Sequence, residues 1–532
     1  MMKAWTKQTA RPLAGLVTTL FLVMTLLSGC VGQPAQKAVQ SGPIDTYTIA
    51  DPRGDWGFPS PWGHYQRGPG YLRMSFLYDT LIWKDEQGFT PALASHWSYD
   101  EGTKAYRFAL RDDALWHDGQ KVTAGDVLFT FEYMKKHPYP WVDLSEVEKV
   151  EAVDAQTVQI TLKRHYAPFL ENVAGALPIL PRHIWAAIER PEEHAEKEVL
   201  IGSGPYRLVD YSKEHGTYLY QANDRYYGGK PKVAQIRFVK LNESMAAAAL
   251  TKGEVDAAQI PGETAEQMRQ VGMQVIRGPH FWNAKLMFNH QKAPFSDKAF
   301  RQALAYTIDR QELVAKSLRG QGAPASPGLI PPDSPWHEPQ VTPYTADLEK
   351  ARELLASLGY FLEQGSLVKE CRELSLELLC SPDNGRDGEI IKEQLARIGI
   401  KVRVKSLEAK TVDAKVGAWD FDLAVSGHGG IGGDPQFFSR MITGQGFLSA
   451  RYNDNSRLNA LLNEQLSAMD EEKRKEQVRE AQRIYAEDLP ALSLYYPTDY
   501  WCHNGKVNLF YTQGGISVGI PLPLNKLAFV RP

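Results

Sequence analysis

The residues best suited to chemistry in this 532-residue chain form the run Gly427-His428-Gly429-Gly430-Ile431-Gly432, behind a short apolar stretch from Phe421 to Ser426. G-x-G-x-x-G after a strand is, taken alone, a dinucleotide fingerprint whose backbone amides cradle a pyrophosphate. The surroundings argue against that use. Asp434-Pro435 interrupts the loop before any helix is expected to begin, and no acidic residue closes a second strand about twenty residues later. The glycines instead let backbone amides approach a ligand closely, or make a tight turn with no ligand. His428 could meet a ligand or bind a metal that a ligand carries; its plain reading is a hydrogen-bonded loop histidine. No catalytic set assembles elsewhere. Gly202-Ser203-Gly204 lacks the G-x-S-x-G spacing of a nucleophile elbow, which leaves Ser203 in a turn. Thirteen histidines are scattered without H-E-x-x-H or a paired Cys/His pattern. The expectation is no catalytic residue, no resident metal and no cofactor.

Strands that alternate with amphipathic helices must carry that loop. Ala105 to Leu110 places Tyr106, Phe108 and Leu110 on one face at period two, and with the run ending at Trp97 it reads as a hairpin closed by Asp100-Glu101-Gly102. After the turn His117-Asp118-Gly119, Thr123 can cap a helix with Asp126 in its first turn, running to about Lys136, short of Pro138. Further on, a helix over Thr345–Leu358, a strand over Leu374–Leu379, a helix over Glu389–Ile398 and a strand through Ile400, Val402 and Val404 make strand-helix-strand units. Ser456 to Asp488 is a long helical stretch, broken near Asp470, and Ala491 to Tyr496 returns as a strand. The class is α/β.

Several stretches carry a resemblance to a known family. They are Pro91-Ala92-Leu93-Ala94 with Trp97, Tyr106-Arg107-Phe108 with Leu110-Arg111, His117-Asp118-Gly119, and Thr123-Ala124-Gly125-Asp126-Val127. Gly202-Ser203-Gly204-Pro205-Tyr206 follows, then Phe288-Asn289, Pro294-Phe295-Ser296-Asp297, Arg301, Ala303-Leu304 and Ile308-Asp309-Arg310. In this order they resemble the family 5 solute-binding proteins of ABC importers, which include oligopeptide-, dipeptide- and nickel-binding proteins. The resemblance implies a two-lobed periplasmic-binding-protein type II fold, a Venus flytrap, with an extra inserted domain. Lobe 1 would comprise residues 44–70, 201–284 and 498–532, the extra domain 71–200, and lobe 2 residues 285–497. It also implies capture of a peptide or peptide-like solute, or of a nickel or metallophore complex, for delivery to ABC permease subunits by a monomer that does no chemistry. A cell-wall peptide hydrolase, the reading from another class, lacks a nucleophile and base.

By position within that family, Trp56 falls where lobe 1 contributes to the cleft, and Trp282 near the first crossing between lobes. The ligand-binding candidates are therefore Trp56, Trp282, His428, Gly429, Ile431 and Asp434. Ile431 marks a departure. In peptide-binding relatives an aspartate three residues before the acidic-Pro pair takes the peptide's α-ammonium, and here that position, counted back from Asp434-Pro435, is Ile431. Nickel-binding relatives also lack that aspartate. Three solutions stand: Asp434 supplies the charge, the ligand has no free ammonium, or His428 takes a carboxylate or chelated metal. The second is favoured.

The amino terminus sets the compartment. Lys3, Lys7 and Arg11 precede fifteen apolar residues from Leu13 to Leu27, short of the ~20 a spanning helix needs, so the stretch reads as a secretory signal. Leu27-Ser28-Gly29-Cys30 resembles a bacterial lipobox, with residues 1–29 removed and Cys30 lipidated, followed by a flexible tether from 30 to 43. Removal takes the formal charge from −3 to −6, and nothing points to nucleic acid. The expected place is outside the cytoplasm, anchored to the bacterial membrane. Cys371, Cys380 and Cys502 are odd in number and read as isolated thiols.

Overall fold

The structure, a computed structural model, describes residues 43–531. The leader, Cys30 and nearly all of the tether lie outside the described residues. Two mixed sheets organise the rest. In chain order the strands are β1 (Ile44–Asp51), β2 (Tyr206–Ser212), β3 (Thr217–Ala222), β4 (Val233–Lys240), β5 (Ala257–Ile260) and β6 (Gln274–Arg277). Then come β7 (Asn283–Phe288), β8 (Gly322–Pro324), β9 (Ser375–Cys380), β10 (Lys401–Ser406), β11 (Leu423–His428), β12 (Ala491–Pro497) and β13 (Tyr500–His503). A seven-stranded sheet has the order β6-β13-β5-β1-β4-β3-β2, and a six-stranded sheet the order β8-β12-β7-β11-β9-β10. The chain passes between them through residues 278–282 and returns through 498–499. These crossings lie side by side, tied by the Gly278 amide donating to the Asp499 carbonyl at 2.8 Å.

Strand β7 shows why the six-stranded sheet holds. All six of its residues are buried, and the two-residue period of a strand divides them between two faces. Ala284, Leu286 and Phe288 join the core with Phe300, Leu304, Leu355 and Ile391. Met287 faces the opposite side, with Val412, Val416 and Ala424. Burying a side chain such as Leu286 or Phe288 is worth about 1.5–3 kcal/mol.

Between β1 and β2 the chain makes an antiparallel sheet of Ala94–Asp100, Ala105–Leu110, Thr157–Leu162 and Val147–Ala152, including the expected hairpin. Helix α1 (Ala124–Lys136) starts at the expected cap. The Asp126 carboxylate accepts from the Thr123 amide at 2.9 Å and its hydroxyl at 2.8 Å, and its other oxygen accepts from the Arg182 amide at 3.0 Å. One apolar core runs from Tyr47, Tyr220 and Phe238 of the seven-stranded sheet to Phe108, Val158 and Ile160.

Several boundaries differ from the sequence expectation. Helix α2 (Leu348–Ser357) begins behind Asp347, whose side chain accepts from the Lys350 amide, rather than at Thr345. Helix α3 (Gly385–Ala396) starts earlier than Glu389, through two glycines. The larger correction concerns Asp434-Pro435. Helix α4 (Gln436–Thr443) begins directly behind the pair, because Pro435 already holds φ at −60° and Asp434 Oδ1 accepts from the Gln436 amide at 2.8 Å. The long helical stretch does break at Asp470, which caps the second of α5 (Ser456–Ser467) and α6 (Glu471–Asp488). Cys371, Cys380 and Cys502 are free thiols. Among the described residues no helix is long and apolar enough to cross a membrane.

Candidate functional site

Strand β11 delivers His428 to the end of the six-stranded sheet, at the carboxyl ends of the parallel strands β9, β10 and β11. In open α/β sheets that edge is where ligands bind. Beyond it the glycine loop turns through Gly430, at φ +88°, and enters α4. The Trp282 ring lies so close to Gly427 that a Cβ there would stand 2.7 Å from the indole Nε1. Trp282 itself is 48% exposed at the crossing. The Phe281 and Trp282 rings both flank Gly429.

The loop's far side meets a second glycine-rich segment, residues 514–519, which sequence reasoning missed. A Cβ on Gly433 would stand 3.1 Å from the Gly519 Cα, so the two backbones touch. Three glycines in six residues were the available signal. Lys84 bridges this contact: its Nζ donates to the Gly515 carbonyl at 3.3 Å and pairs with Glu171 at 2.6 Å. Opposite, Asp434 is gripped by both terminal nitrogens of Arg474, at 2.7 and 2.8 Å. Arg474 Nε in turn donates to the carbonyl and side-chain oxygens of Gln465. Burial, partly offset by Lys84 and reinforced by Asp434, raises the Glu171 carboxyl to about 7. Close by, Tyr166 donates to Gln436 Oε1 at 2.8 Å, and the Ala167 amide to the Leu466 carbonyl at 2.8 Å. The cavity left among Gly430, Ile431, Asp434, Phe437 and Leu329–Ile330 is about 10 Å³, scarcely room for one water. Between the two glycine segments themselves, the Gly433–Gly519 backbone contact leaves no room for a ligand unless the two faces part.

The candidates divide accordingly. Trp282, His428, Gly429, Ile431 and Asp434 belong to this one loop and its crossing. Ile431 is buried with Ala325 and Tyr496, against Phe437. Asp434 is fully engaged by Arg474. Trp56 is fixed on the other sheet, its indole donating to Asp51 Oδ2 at 2.7 Å and its amide accepted by the Tyr218 hydroxyl at 2.8 Å. Asp51 also pairs with the buried Arg73 at 2.6 Å. His428 is buried, with Nδ1 3.3 Å from the Gly429 carbonyl and Nε2 without a partner. Its ring nitrogen is held well below the usual histidine range by burial, with Lys285 adding to the effect. Lys285, not singled out from sequence, is also buried; its Nζ donates to the Leu448 carbonyl, and burial lowers its ammonium to about 7.

His117 has a structural post. Its Nδ1 accepts from the Gly202 amide at 3.2 Å, which leaves Nε2–H to donate to the Gly204 carbonyl at 3.0 Å. Burial lowers it to about 4, so it stays neutral and ties the His117-Asp118-Gly119 turn to Gly202-Ser203-Gly204. Ser203 is buried in that bend. Among the described residues no group of three or more His, Cys, Asp or Glu side chains could hold a metal ion.

The family described as bacterial extracellular solute-binding proteins, family 5 (middle), matches residues 88–448, more than half of the chain. The chain belongs to this family. It is 27% identical over 440 residues to the dipeptide-binding protein of Escherichia coli (strain K12), covering 77% of this chain and 81% of that protein. It is 26% identical over 523 residues to the oligopeptide-binding protein AppA of Bacillus subtilis (strain 168), covering 91% and 93%. Among solved structures, NikA from Brucella suis in complex with Fe(III)-EDTA superposes with a TM-score of 0.78 at 22% identity, covering 90% of this chain and 99% of that one. The family 5 binding-protein fold is therefore the fold of this chain, the α/β Venus-flytrap architecture expected from the sequence.

Proposed function

We propose that this protein is the solute-binding component of an ABC importer, which captures a peptide or peptide-like solute outside the cytoplasm and hands it unchanged to permease subunits. The observation that carries the reading is the pair of adjacent crossings at 278–282 and 498–499, the two short connections between the sheets. Two neighbouring connections make a hinge, and the facing glycine loops, with so little space between them, are the surfaces such a hinge opens and shuts. Solute binding then selects the closed arrangement by its extra affinity for it. In this reading lobe 1 comprises residues 44–70, 201–282 and 498–532, with 71–200 inserted, and lobe 2 comprises 283–497, two residues earlier than the sequence boundary at 284 because Asn283 and Ala284 already belong to β7. The protein acts as a monomer without catalysis, and Cys30 carries its lipid anchor. The kinship with dipeptide- and oligopeptide-binding proteins supports a peptide-like cargo.

A metal chelate is the second reading. What favours it is the unpartnered Nε2 of His428, together with an apolar Ile431 in place of a charge for a peptide's ammonium. Such a metal is cargo and arrives with its own ligands. Native mass spectrometry of the protein purified from its own cells tests both. A bound small solute of peptide or chelate mass, released unaltered after incubation, is expected; a solute returned cleaved would overturn the non-enzymatic role.

A further inference from the structure

On the face of the six-stranded sheet below the glycine loop, strand register gathers polar groups that the fold itself leaves unsatisfied. Asn283 of β7 stands opposite His428 of β11, and Lys285 stands opposite Ser426 of β11 and Ser493 of β12. The period of two puts all five on one face, with Lys285 and His428 diagonal neighbours within reach of a long side chain. Asn283 Nδ2 donates to Ser493 Oγ at 3.2 Å, while Asn283 Oδ1 and His428 Nε2 are buried with no partner. Lys285 finds one carbonyl, that of Leu448, and among the described residues no carboxylate pairs with it. Of the titratable groups on the elements packed here, His428 faces it; Phe437 of α4 closes over the histidine, ring centres 5.6 Å apart. A methionine would fill this volume without the cost of a desolvated amine. The cluster has the donors to receive an anion, and although sealed here it lies directly below the glycine loop at the carboxyl end of β11.

We propose that Lys285, His428 and Asn283 form an acid-binding subsite, and that the transported solute carries a carboxylate or similar acidic group that seats there. The proposal rests on the solute-binding reading above and names its substrate class. It accounts for Ile431: a site that anchors the solute's acid does not need to anchor an ammonium. An arriving anion supplies the counter-charge that Lys285 lacks, so the amine takes up a proton from solvent on binding and becomes a paired ammonium. With the free amine at about 7, each bound solute takes up close to one proton at pH 8, and affinity weakens roughly fifty-fold from pH 7 to pH 9.

The test is calorimetry with N-acetyl-trialanine, its C-terminal amide, free trialanine and Fe(III)-EDTA. Titrations in two buffers of different ionisation enthalpy at pH 8 count protons. The expected result is that at least one acidic probe binds with proton uptake, and that the acetylated acid binds at least tenfold tighter than its amide. Lys285→Met should remove both the preference and the proton uptake. His428→Gln, a second variant, should weaken acid binding while keeping the proton uptake. The peptide and chelate arms distinguish the two sources of the acid. If amide and acid bind alike, or proton uptake is absent in wild type, the subsite is overturned while the importer reading stands. If no probe binds, the subsite is overturned, while the importer reading is decided separately by the native mass measurement.

Discussion

The Asp434–Arg474 pair offers the sharpest quantitative test. Both side chains are nearly sealed, 9% and 7% exposed, and both terminal guanidinium nitrogens are committed to the carboxylate. Arg474→Met keeps an unbranched apolar side chain, loses the guanidinium that lies 5.2 Å over the Trp336 ring, and strands Asp434 beside Glu171. Removing one partner of a buried pair typically costs about 3–5 kcal/mol, whereas replacing both with apolar groups is often near neutral. Arg474→Met should therefore lower stability by about 3–5 kcal/mol, and Arg474→Met/Asp434→Leu should recover most of it. The unrecovered part should be about 1–2 kcal/mol, for the Gln436 amide and Gln465 oxygens left without partners. Urea unfolding followed by tryptophan fluorescence, extrapolated linearly, measures each corner of the cycle. A single-variant loss below about 1 kcal/mol, or a double variant as unstable as the single, would refute the claim that Arg474 holds Asp434 for structure.

Three other outcomes follow from the same geometry. Glu171 titrates near 7 folded against 4.5 unfolded, so its contribution is fully present below pH 4.5 and is lost as pH rises through 7; Glu171→Gln, compared with wild type across pH 4.5–8, should flatten a fall of about 3 kcal/mol. His117 has the opposite sign, its folded value of about 4 lying below 6.5, so stability drops as pH falls from 6.5 toward 4. His117→Phe should cost about 2–4 kcal/mol at pH 7 and abolish that acid slope in chemical unfolding. Gly433→Val places methyl groups against Gly519 without backbone strain, and should weaken solute binding at least about tenfold while shifting the melting midpoint by less than ~2 °C; unchanged affinity would show that the loops need not touch.

What the sequence revealed was local. The Thr123–Asp126 cap, the alternation through Tyr106, Phe108 and Leu110, and the break at Asp470 each rest on groups a few residues apart, whose geometry the backbone alone sets. The helix behind Asp434-Pro435 was hidden because a proline that ends one helix also begins another, and side-chain capping decides which. Long-range pairings had no local trace. Lys285 and His428 are brought together only by the β7–β11 register, a glycine segment near the carboxyl terminus meets the loop only through the crossings, and Arg474 reaches Asp434 from a helix forty residues further along the chain. The family resemblance pointed to the loop but could not say that Ile431 would pack against Tyr496, or that a buried lysine would stand below it.

The most direct test of capture by hinge closure is small-angle scattering on protein stripped of solute by unfolding and refolding, then titrated with the solute released from it. The account predicts a fall in radius of gyration on addition, with residues 278–282 and 498–499 as the pivot, and Gly433→Val remaining at the larger value. Identical profiles at saturating solute, in a protein shown by calorimetry to have bound it, would contradict the account.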